Sequence, residues 1–377
     1  MMNCLYLHIP FCLKKCHYCS FSSFVASSKL HKLYVHALKT ELSSLKKTID
    51  FSSALSTLFI GGGTPTCLKA NDLVSIINHC RDQFGFKEDA EISVEANPGT
   101  VDGFYFEKLL KAGVNRLSIG VQSFVDTELK CLGRLHSKQQ AVDAYKAARN
   151  AGFININIDL MYGIPEQTLR SWSDSLEEAL VQAPQHLSIY QLMVEEGTRF
   201  ELLEKQGKLE LPNEDEIMEI DELTRLRCGK GNFIQYETSN YALEGYQCRH
   251  NINYWDNKDY YAAGAAAVSF VKGLREKRVI DVKDYTEKIL REGRALMETE
   301  CLNTEASFRE TVIMGLRMKK GVSIENVVSR YGITPKEHYG SVLTSFLDMG
   351  MLELSPTHLR ITDKGWPLSN RIMAELV

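Results

Sequence analysis

Three cysteines, Cys12, Cys16 and Cys19, lie within eight residues near the start of the chain. Thiolates are soft ligands that suit an iron–sulfur cluster or zinc. A structural zinc site takes four protein ligands, often as two separated cysteine pairs, and the sequence has no second pair, although His8 or His17 could complete a set. A cubane held by three thiolates leaves one iron open to a small molecule. The spacing therefore predicts a 4Fe–4S cluster with one open iron, and zinc is the alternative.

A second segment that could bind a ligand is Gly61-Gly62-Gly63-Thr64-Pro65, which follows an apolar run. Consecutive glycines let the backbone approach a ligand closely and expose its N–H and C=O groups. A tight turn would explain the same glycines. The segment is a candidate binding loop only if other polar residues join it.

Four more polar side chains recur at regular points along the chain. Glu95 and Asp159 are carboxylates, Gln122 offers an amide, and Arg134 can bind a carboxylate with its forked guanidinium. Each of them has an ordinary structural explanation when taken alone. Glu95, Gln122, Asp159 and the glycine segment all fall at or just beyond the end of a predicted strand, where parallel α/β sheets bind ligands, which favours one shared pocket.

The elements that must position these residues alternate between strands and helices over the first 190 residues or so. The predicted strands are Cys4–Ile9, Thr57–Ile60, Ala90–Glu95, Arg116–Ile119, Ile154–Leu160 and His186–Tyr190. The predicted helices are His31–Leu45, Asn71–Gln83, Asp102–Ala112, Lys138–Ala151 and Leu169–Gln182. Successive strand–helix units indicate an α/β fold with a parallel sheet covered by helices, curved into a partly closed barrel.

The pattern changes after about residue 195. Glu195–Ile220 is charged and is predicted to be helical, and Asn251–Phe270 combines aromatic residues with an alanine- and glycine-rich run. The last part has three predicted helices and a hairpin, typical of a small winged-helix-type domain: Glu305–Met318, Ile324–Tyr331, Lys336–Met349 and Leu352–Ile361. We therefore divide the chain into residues 1–235, 236–300 and 301–377.

The charge and composition of the chain exclude some classes of partner and location. The formal net charge is −4 and no polybasic tract is present, so neither nucleic acid nor an acidic membrane surface is an expected partner. No stretch has the roughly 18 consecutive apolar residues that a membrane span needs, and the start lacks the core of a signal peptide. Ten cysteines in 377 residues do not make a dense disulfide framework, which fits a reducing, cytoplasmic location.

The cysteine spacing on a loop after the first strand resembles the signature of the radical S-adenosylmethionine (SAM) superfamily. The segment Tyr6-Leu-His-Ile-Pro-Phe-Cys12 is similar to its coproporphyrinogen III dehydrogenase branch. The resemblance implies a partial (β/α)6 barrel with a small C-terminal winged-helix-like α+β domain. It also implies that the open iron chelates SAM and that electron injection releases a 5′-deoxyadenosyl radical. By segment, it assigns the pocket to Tyr6, Gly62, Gly63, Thr64, Glu95, Gln122, Arg134 and Asp159.

Two features distinguish the branches of this superfamily. The oxygen-independent oxidases have a further cysteine two residues beyond the triplet, where this chain has Phe21. The segment from His250 to Trp255 fits HNxxYW, a motif of the HemW-type haem chaperones, in which imidazole can ligate haem iron and aromatic rings can stack on a porphyrin. The resemblance thus implies haem binding at His250 and transfer to an acceptor protein, with an electron donor and, as a possibility, a homodimer.

The sequence is also compatible with two other functions. One is oxidative decarboxylation of two porphyrinogen propionates to vinyl groups, an activity that Phe21 disfavours. The other is a barrel that has lost its cofactors and acts only in protein interactions, which predicts no cluster after anaerobic reconstitution.

Overall fold

The computed structural model describes residues 3–48 and 54–377, and its centre is a nine-stranded sheet. Its strands are β1 (Cys4–Ile9), β2 (Leu55–Gly62), β3 (Phe86–Ala96), β4 (Arg116–Gln122), β5 (Ile156–Tyr162), β6 (His186–Gln191), β7 (Ile234–Gln235), β8 (Asn240–Ala242) and β9 (Tyr261–Ala263). Two smaller sheets contain β10 (Val268–Val271), β11 (Leu274–Arg278) and β12 (Leu296–Cys301), and β13 (Val322–Ser323), β14 (Leu352–Leu354) and β15 (His358–Ile361).

Helices follow most of the strands. They are α1 (Ser28–Thr48), α2 (Ala70–Phe84), α3 (Gly103–Lys111), α4 (Asp126–Leu132), α5 (Lys138–Ala151), α6 (Leu169–Val181), α7 (Arg199–Lys205), α8 (Glu214–Lys230), α9 (Arg249–Trp255), α10 (Val282–Glu292), α11 (Thr304–Leu316), α12 (Ile324–Tyr331), α13 (Pro335–Asp348) and α14 (Ser369–Ala374). Local sequence explains several boundaries. At the start of α5, for example, Ser137 and Gln140 form a reciprocal capping box, and Gly152 ends the helix in a left-handed conformation.

The order of strands in the central sheet is β7-β8-β6-β5-β4-β3-β2-β1-β9. Strands β1 to β6 are parallel neighbours in chain order, β9 is parallel to β1, and β8 is antiparallel to β6. The predicted α/β fold with six successive strand–helix units is confirmed. Because β1 to β6 run in one direction, their carboxyl ends meet at one rim.

The helices cover the outer face of this sheet with a continuous apolar core. On that side Trp172 of α6 is fully buried, and its indole Nε1 donates to the hydroxyl of Thr224 on α8 at 2.9 Å. The inner face is different, since polar residues alternate along each strand, as in Arg116 and Ser118 of β4. The polar inner face encloses the cavity described below.

Some sequence-based predictions of elements were wrong. Glu195–Ile220 is not one helix, because α7 and α8 are separated by a connection that includes Gly207 at a φ of 64° and Pro212. Strand β4 continues to Gln122 rather than ending at Ile119, with an irregular register against β5. The sheet of β10 to β12 and helix α10 were not predicted.

The C-terminal module has its own core, formed by α11, α12, α13 and the β14–β15 hairpin. The three predicted helices and the hairpin are present, and only the ends of α11 and α13 are shifted, by one or two residues. Proline at the start of α13 and a capping box between Thr334 and Glu337 explain that helix start. Within the described residues, no helix is both long enough and apolar enough to cross a membrane.

Candidate cofactor site

The cysteine loop leaves the carboxyl end of β1 and is tied to the rest of the chain by backbone hydrogen bonds. The amide of Cys12 donates to Phe24 O at 3.0 Å, and the amide of Phe24 donates to Pro10 O at 2.8 Å. Cys12, Cys16 and Cys19 are free thiols that are partly exposed. The loop therefore presents all three sulfurs at the rim of the barrel.

Cys19 is affected by burial and by the two other thiols of the loop. Burial raises the pKa of Cys19, and the neighbouring Cys16 and Cys12 raise it further. Among the described residues, no three His, Cys, Asp or Glu side chains are grouped closely enough to hold one metal ion. A cubane binds each thiolate through a different iron, so its ligands share a loop without converging on one point.

The glycines at the end of β2 are required by close approach to their neighbours. A Cβ on Gly63 would lie 2.7 Å from Phe11 O and 3.1 Å from Cys12 Sγ. Gly62 has a φ of 117°, and a Cβ there would lie 2.7 Å from the His8 ring. A larger side chain at Gly63 would push into the cysteine loop, and one at Gly62 would push into the His8 ring.

Thr64 joins the glycine segment to the cysteine loop. Its hydroxyl lies 3.6 Å from Cys12 Sγ, and its amide donates to Phe11 O at 2.7 Å. The Gly61–Thr64 segment and the cysteine loop thus form adjacent walls of one site.

Glu95 lies on β3 next to the glycine segment. Its Oε2 accepts a hydrogen bond from the amide of Gly62 at 3.1 Å. Burial, followed by the nearby carboxyl group of Asp159, raises the pKa of Glu95 to about 8. Near neutral pH the unliganded protein therefore holds Glu95 largely as the neutral acid.

Gln122 and Arg134 lie on the other side of the cysteine loop. Gln122 has a φ of 71°, and its buried Oε1 has no hydrogen-bond partner among the described residues. Arg134 donates through Nη1 to Cys16 Sγ at 3.7 Å and through Nη2 to Gly120 O, while its buried Nε lacks a partner within residues 3–48 and 54–377. These orphaned polar atoms are available to a bound group.

Asp159 accepts hydrogen bonds from the hydroxyl of Ser118 at 3.2 and 3.3 Å and from the amide of Asn157 at 2.6 Å. Burial raises its pKa, and these donors oppose that rise. Tyr6 lies on β1 facing the same interior, where its hydroxyl is 3.0 Å from His8 Nδ1. The polar inner positions of neighbouring strands thus line one chamber.

The chamber is a cavity of about 330 Å³ inside the barrel. Its walls combine carboxyl groups, hydroxyls, a guanidinium and aromatic rings: Tyr6, Phe59, Glu95, Arg116, Ser118, Asp159, Ser188, Tyr190, His250, Asn251 and Tyr254. Of the residues predicted for the pocket, Tyr6, Glu95, Asp159 and His250 line this cavity. Gly63, Thr64 and Arg134 instead contact the cysteine loop.

His250 is buried at the opposite end of the strands from the cysteine loop. Its Nδ1 is 2.7 Å from the hydroxyl of Thr57, near the start of β2, and its Nε2 is 2.8 Å from the hydroxyl of Tyr254. Thr57 and Gly62 are separated by about 16 Å along the same strand. Burial, followed by the charge of Arg116, lowers the pKa of His250 to about 3. The imidazole is therefore neutral and has both nitrogens engaged.

The rest of the HNxxYW motif joins the barrel to the C-terminal module. Trp255 packs with Tyr236, Ala242 and Met318, and the guanidinium of Arg317 lies 5.5 Å from its ring centroid. Trp255 Nε1 is buried and has no hydrogen-bond partner in the part of the chain that the structure describes. The motif thus places its imidazole inside the barrel and its indole against the neighbouring module.

Sequence reasoning missed two residues of the site. Tyr18, between two of the cysteines, hydrogen-bonds with Arg134, and burial raises its pKa. Arg116 is fully buried inside the barrel. An aromatic residue between the cysteines and a charge alternating with Ser118 on an otherwise apolar strand are the signals that could have identified them.

The chain is similar to known proteins over most of its length. The family model described as the radical SAM superfamily matches residues 6–179, and that of the HemN C-terminal domain matches residues 302–368. The chain is 35% identical over 373 residues to the haem chaperone HemW of Bacillus subtilis, covering 98% of each protein. It is 41% identical over 266 residues to the haem chaperone HemW of Escherichia coli, covering 70% of this chain and 68% of that protein.

Among solved structures, the chain is similar to coproporphyrinogen III oxidase (HemN) from Escherichia coli, which is described as a radical SAM enzyme. The TM-score is 0.86 at 24% sequence identity, covering 100% of this chain and 90% of that one. This similarity establishes the fold, including the C-terminal module.

Proposed function

This chain belongs to the HemW haem-chaperone family of radical SAM proteins, and from that premise we propose that it binds haem and passes it to an acceptor protein. The observation that carries this proposal is the similarity to a haem chaperone over 98% of both chains. A match of that extent includes the barrel, the HNxxYW segment and the C-terminal module together.

The second candidate is oxidative decarboxylation of coproporphyrinogen III, because the fold is similar to that of an oxidase of this substrate. Phe21 argues against it. This residue stands where the oxidases carry their additional cysteine, it is 66% exposed, and its ring offers no sulfur to a cluster or substrate. We therefore favour the chaperone function.

We propose that Cys12, Cys16 and Cys19 hold a 4Fe–4S cluster. Three free thiols on one loop, a guanidinium donating to Cys16 Sγ, and space kept open by Gly63 support this assignment. A donor close to a sulfur ligand stabilises its anionic form. When bound, such a cluster with SAM supplies one-electron reductive chemistry, for which an electron donor is needed.

We propose that SAM is bound by the polar residues around the cysteine loop and the upper cavity. Glu95 would accept hydrogen bonds from ribose hydroxyls, and the orphaned atoms of Gln122 and Arg134 would pair with polar groups of the cofactor. The full proposed set is Tyr6, Gly62, Gly63, Thr64, Glu95, Gln122, Arg134 and Asp159.

We further propose that His250 is the haem ligand, in a region of residues 236–300 that connects a radical SAM core (1–235) to the C-terminal domain (301–377). The buried imidazole has both nitrogens hydrogen-bonded, so it must leave Thr57 or Tyr254 before it ligates iron. Helix α9 has only two turns, and its opening would release Nε2 from Tyr254. Haem binding at His250 is therefore coupled to a movement of this segment.

The test of haem binding is an absorption titration of the full chain with haem. We expect saturable binding in the wild type and a large loss of affinity in His250→Ala. His136→Ala is the matched control, since His136 is also a buried imidazole but does not line the cavity. Equal haem affinity in wild type and His250→Ala would remove His250 from the proposal, and absence of haem uptake by the wild type would remove the chaperone function.

The cluster has an independent test in anaerobic reconstitution with iron and sulfide. We expect a reduced cluster whose electron paramagnetic resonance spectrum changes when SAM is added, and no stable cluster after Cys16→Ala. Cys301→Ala is the control, because Cys301 is exposed and distant in sequence from the loop. Failure of the wild type to form any cluster would favour a barrel that acts only in protein interactions.

A further inference from the structure

The two ring nitrogens of His250 are held by groups of different kinds. Nδ1 lies 2.7 Å from the hydroxyl of Thr57, which is fully buried on β2. Nε2 lies 2.8 Å from the hydroxyl of Tyr254, which is one helical turn further along α9 and only partly buried. The two contacts are therefore not equivalent, because one partner belongs to a strand of the central sheet and the other to the short helix itself.

The main chain at His250 is anchored to the same part of the sheet. Glu91 of β3 is buried and lies in register with Thr57. Its Oε2 accepts from the amide of Arg249 at 3.0 Å, and its Oε1 accepts from the amide of His250 at 3.2 Å and from the Cys248 thiol at 3.6 Å. A carboxylate with three donors fixes the start of α9, since hydrogen bonds to a charged acceptor are stronger than neutral ones.

The hydrogen bonds of His250 indicate which nitrogen carries its proton. A neutral imidazole has one N–H donor and one acceptor nitrogen. A phenol is a stronger acid than an alcohol and hence the better donor, so the Tyr254 hydroxyl donates to Nε2 and Nδ1–H donates to Thr57. The Thr57 hydroxyl can accept this bond because its own proton can point to Cys4, with which it also hydrogen-bonds. Nε2 thus carries the lone pair that an iron ligand needs.

We propose that Thr57 and Glu91 are positioning residues for His250, so that haem iron binds at Nε2 and Tyr254 is the group that leaves. The inference rests on the proposed role of His250 as the haem ligand. Imidazoles that bind a metal commonly donate their other N–H to a protein acceptor, which fixes the ring and strengthens the ligand. Tyr254 lines the cavity of about 330 Å³, so its departure frees Nε2 and widens a space at the small end of ligand pockets.

The first test reads the proton on His250 in the haem-free protein. Nitrogen NMR of the full chain with isotope-labelled histidine distinguishes the two tautomers, and the signals that vanish in His250→Ala assign this ring. We expect a neutral ring protonated at Nδ1 near neutral pH, and a shift of its signals in Thr57→Val. A proton on Nε2 would refute the assignment of Nε2 as the iron ligand, whatever the outcome of haem binding.

The second test compares the haem affinities of two variants with opposite expected effects. Thr57→Val removes the acceptor for Nδ1 and should weaken haem binding about 10- to 100-fold, as loss of such partners does at metal sites, with recovery in Thr57→Ser. Tyr254→Phe removes the group that competes for Nε2 and should strengthen binding about 2- to 10-fold.

Matched controls for these variants are Thr286→Val and Tyr260→Phe. Thr286 is buried on α10, and the ring centroid of Tyr260 lies 4.5 Å from that of Tyr254, but neither Thr286 nor Tyr260 lines the cavity. We expect both controls to bind haem as the wild type does. Unchanged affinity in Thr57→Val, or weaker binding in Tyr254→Phe, would overturn the proposal.

The third test separates positioning from a general structural role. Glu91→Gln should weaken haem binding through His250, so it should have little further effect on the residual affinity of His250→Ala. Asp89→Asn is the control, since Asp89 is exposed and pairs with Arg249 at the surface, at 3.2 Å. An equal loss from Glu91→Gln in both backgrounds would contradict a positioning role.

The outcomes also separate this positioning from the function on which it rests. Absence of haem uptake by the wild type, or equal affinity in His250→Ala, would remove the haem site and the positioning residues with it. Haem uptake that depends on His250 but is indifferent to Thr57→Val and Glu91→Gln would remove only the positioning residues and leave the chaperone function standing. We expect haem affinity to depend on all three residues.

Discussion

Among single residues, Glu95 makes the stability of the protein depend on pH. Its pKa is about 8 in the folded chain, against an ordinary value near 4.5, so the folded state binds the proton more tightly than the unfolded state. The unfolded chain loses this proton as pH rises from 4.5 to 8 while the folded chain keeps it, and the stability of the unliganded protein falls over that window.

The variant Glu95→Gln removes this titration. We expect its free energy of unfolding to decline less steeply between pH 4.5 and 8 than that of the wild type, by up to about 1.4 kcal/mol per pH unit. Chemical denaturation at several pH values measures the difference. Asp159 and Glu237 also have raised pKa values, but they are common to both proteins. Parallel stability curves would show that Glu95 is not titrating as described.

Gly63 lies too close to the cysteine loop to carry a side chain. Gly63→Ala places a Cβ 2.7 Å from Phe11 O and forces the cysteine loop to shift. We expect a cost of about 1–3 kcal/mol in stability and a marked loss of iron bound per chain after reconstitution. Gly99→Ala is the control, since its Cβ would meet nothing within 4 Å. Full cluster loading in Gly63→Ala would contradict the proposed packing.

The sequence predicted the location of site residues where these residues follow predicted strand ends. Glu95 and Asp159 were expected near one another, and they line one cavity. The burial of His250 was not predictable, because a motif states residue types but not which side chains face inward. Arg116 was missed for a similar reason, since its placement depends on strand register that no local pattern reveals.

At the scale of elements, the cysteine loop depends on α4 and α7. The amide of His17 donates to Leu132 O, and the amide of Phe200 donates to His17 O, each at 3.0 Å. Phe200 is buried in a small apolar cluster against which Tyr18 packs. This cluster supports the loop from beneath.

Phe200→Ala should therefore loosen the loop. We expect a loss of about 3–5 kcal/mol in stability, as for other large-to-small changes at buried aromatic residues, and faster loss of iron from the reconstituted protein. Leu202→Ala on the same helix is the control, because Leu202 is 58% exposed and its truncation should change stability by about 0.5 kcal/mol or less. Iron release at the same rate in both variants would show that the apolar cluster around Phe200 does not support the cysteine loop.

The elements themselves were largely predictable in the first half of the chain. Apolar runs bounded by glycine and capping residues predicted β1 to β6 and one helix after each of the first five strands, whereas α4 and the parallel strand β9 were missed. The sheet of β10 to β12 was missed, because β11 and β12 carry charges in place of a clear alternating pattern, as in Leu274–Arg278. Their strand structure depends on antiparallel pairing with β10 rather than on local sequence.

At the scale of the whole molecule, a buried ion pair ties the barrel to the second sheet. Glu41 of α1 accepts from Arg278 Nε at 3.1 Å and from the amide of Gly264 at 2.9 Å, and it also accepts from the hydroxyl of Tyr285. Both charged side chains are at most 5% exposed. Removing one partner leaves the other charge buried and unpaired.

Glu41→Gln should accordingly destabilise the chain by about 3–5 kcal/mol. The control is Glu353→Gln, which breaks an ion pair with Arg360 whose side chains are both 49% exposed, and which should cost about 0–1 kcal/mol. Denaturant unfolding measures both. Similar losses of stability in the two variants would mean that the buried ion pair does not hold the barrel and the second sheet together.

We propose that this radical SAM barrel carries haem as cargo instead of oxidising a porphyrinogen. The most direct measurement follows one anaerobically reconstituted preparation of the full chain with SAM and reductant, in a haem titration and in a coproporphyrinogen III turnover assay. A coproporphyrinogen III oxidase serves as the positive control for turnover. We expect saturable haem uptake without vinyl product. Vinyl product formed at many turnovers, without stable haem uptake, would contradict it.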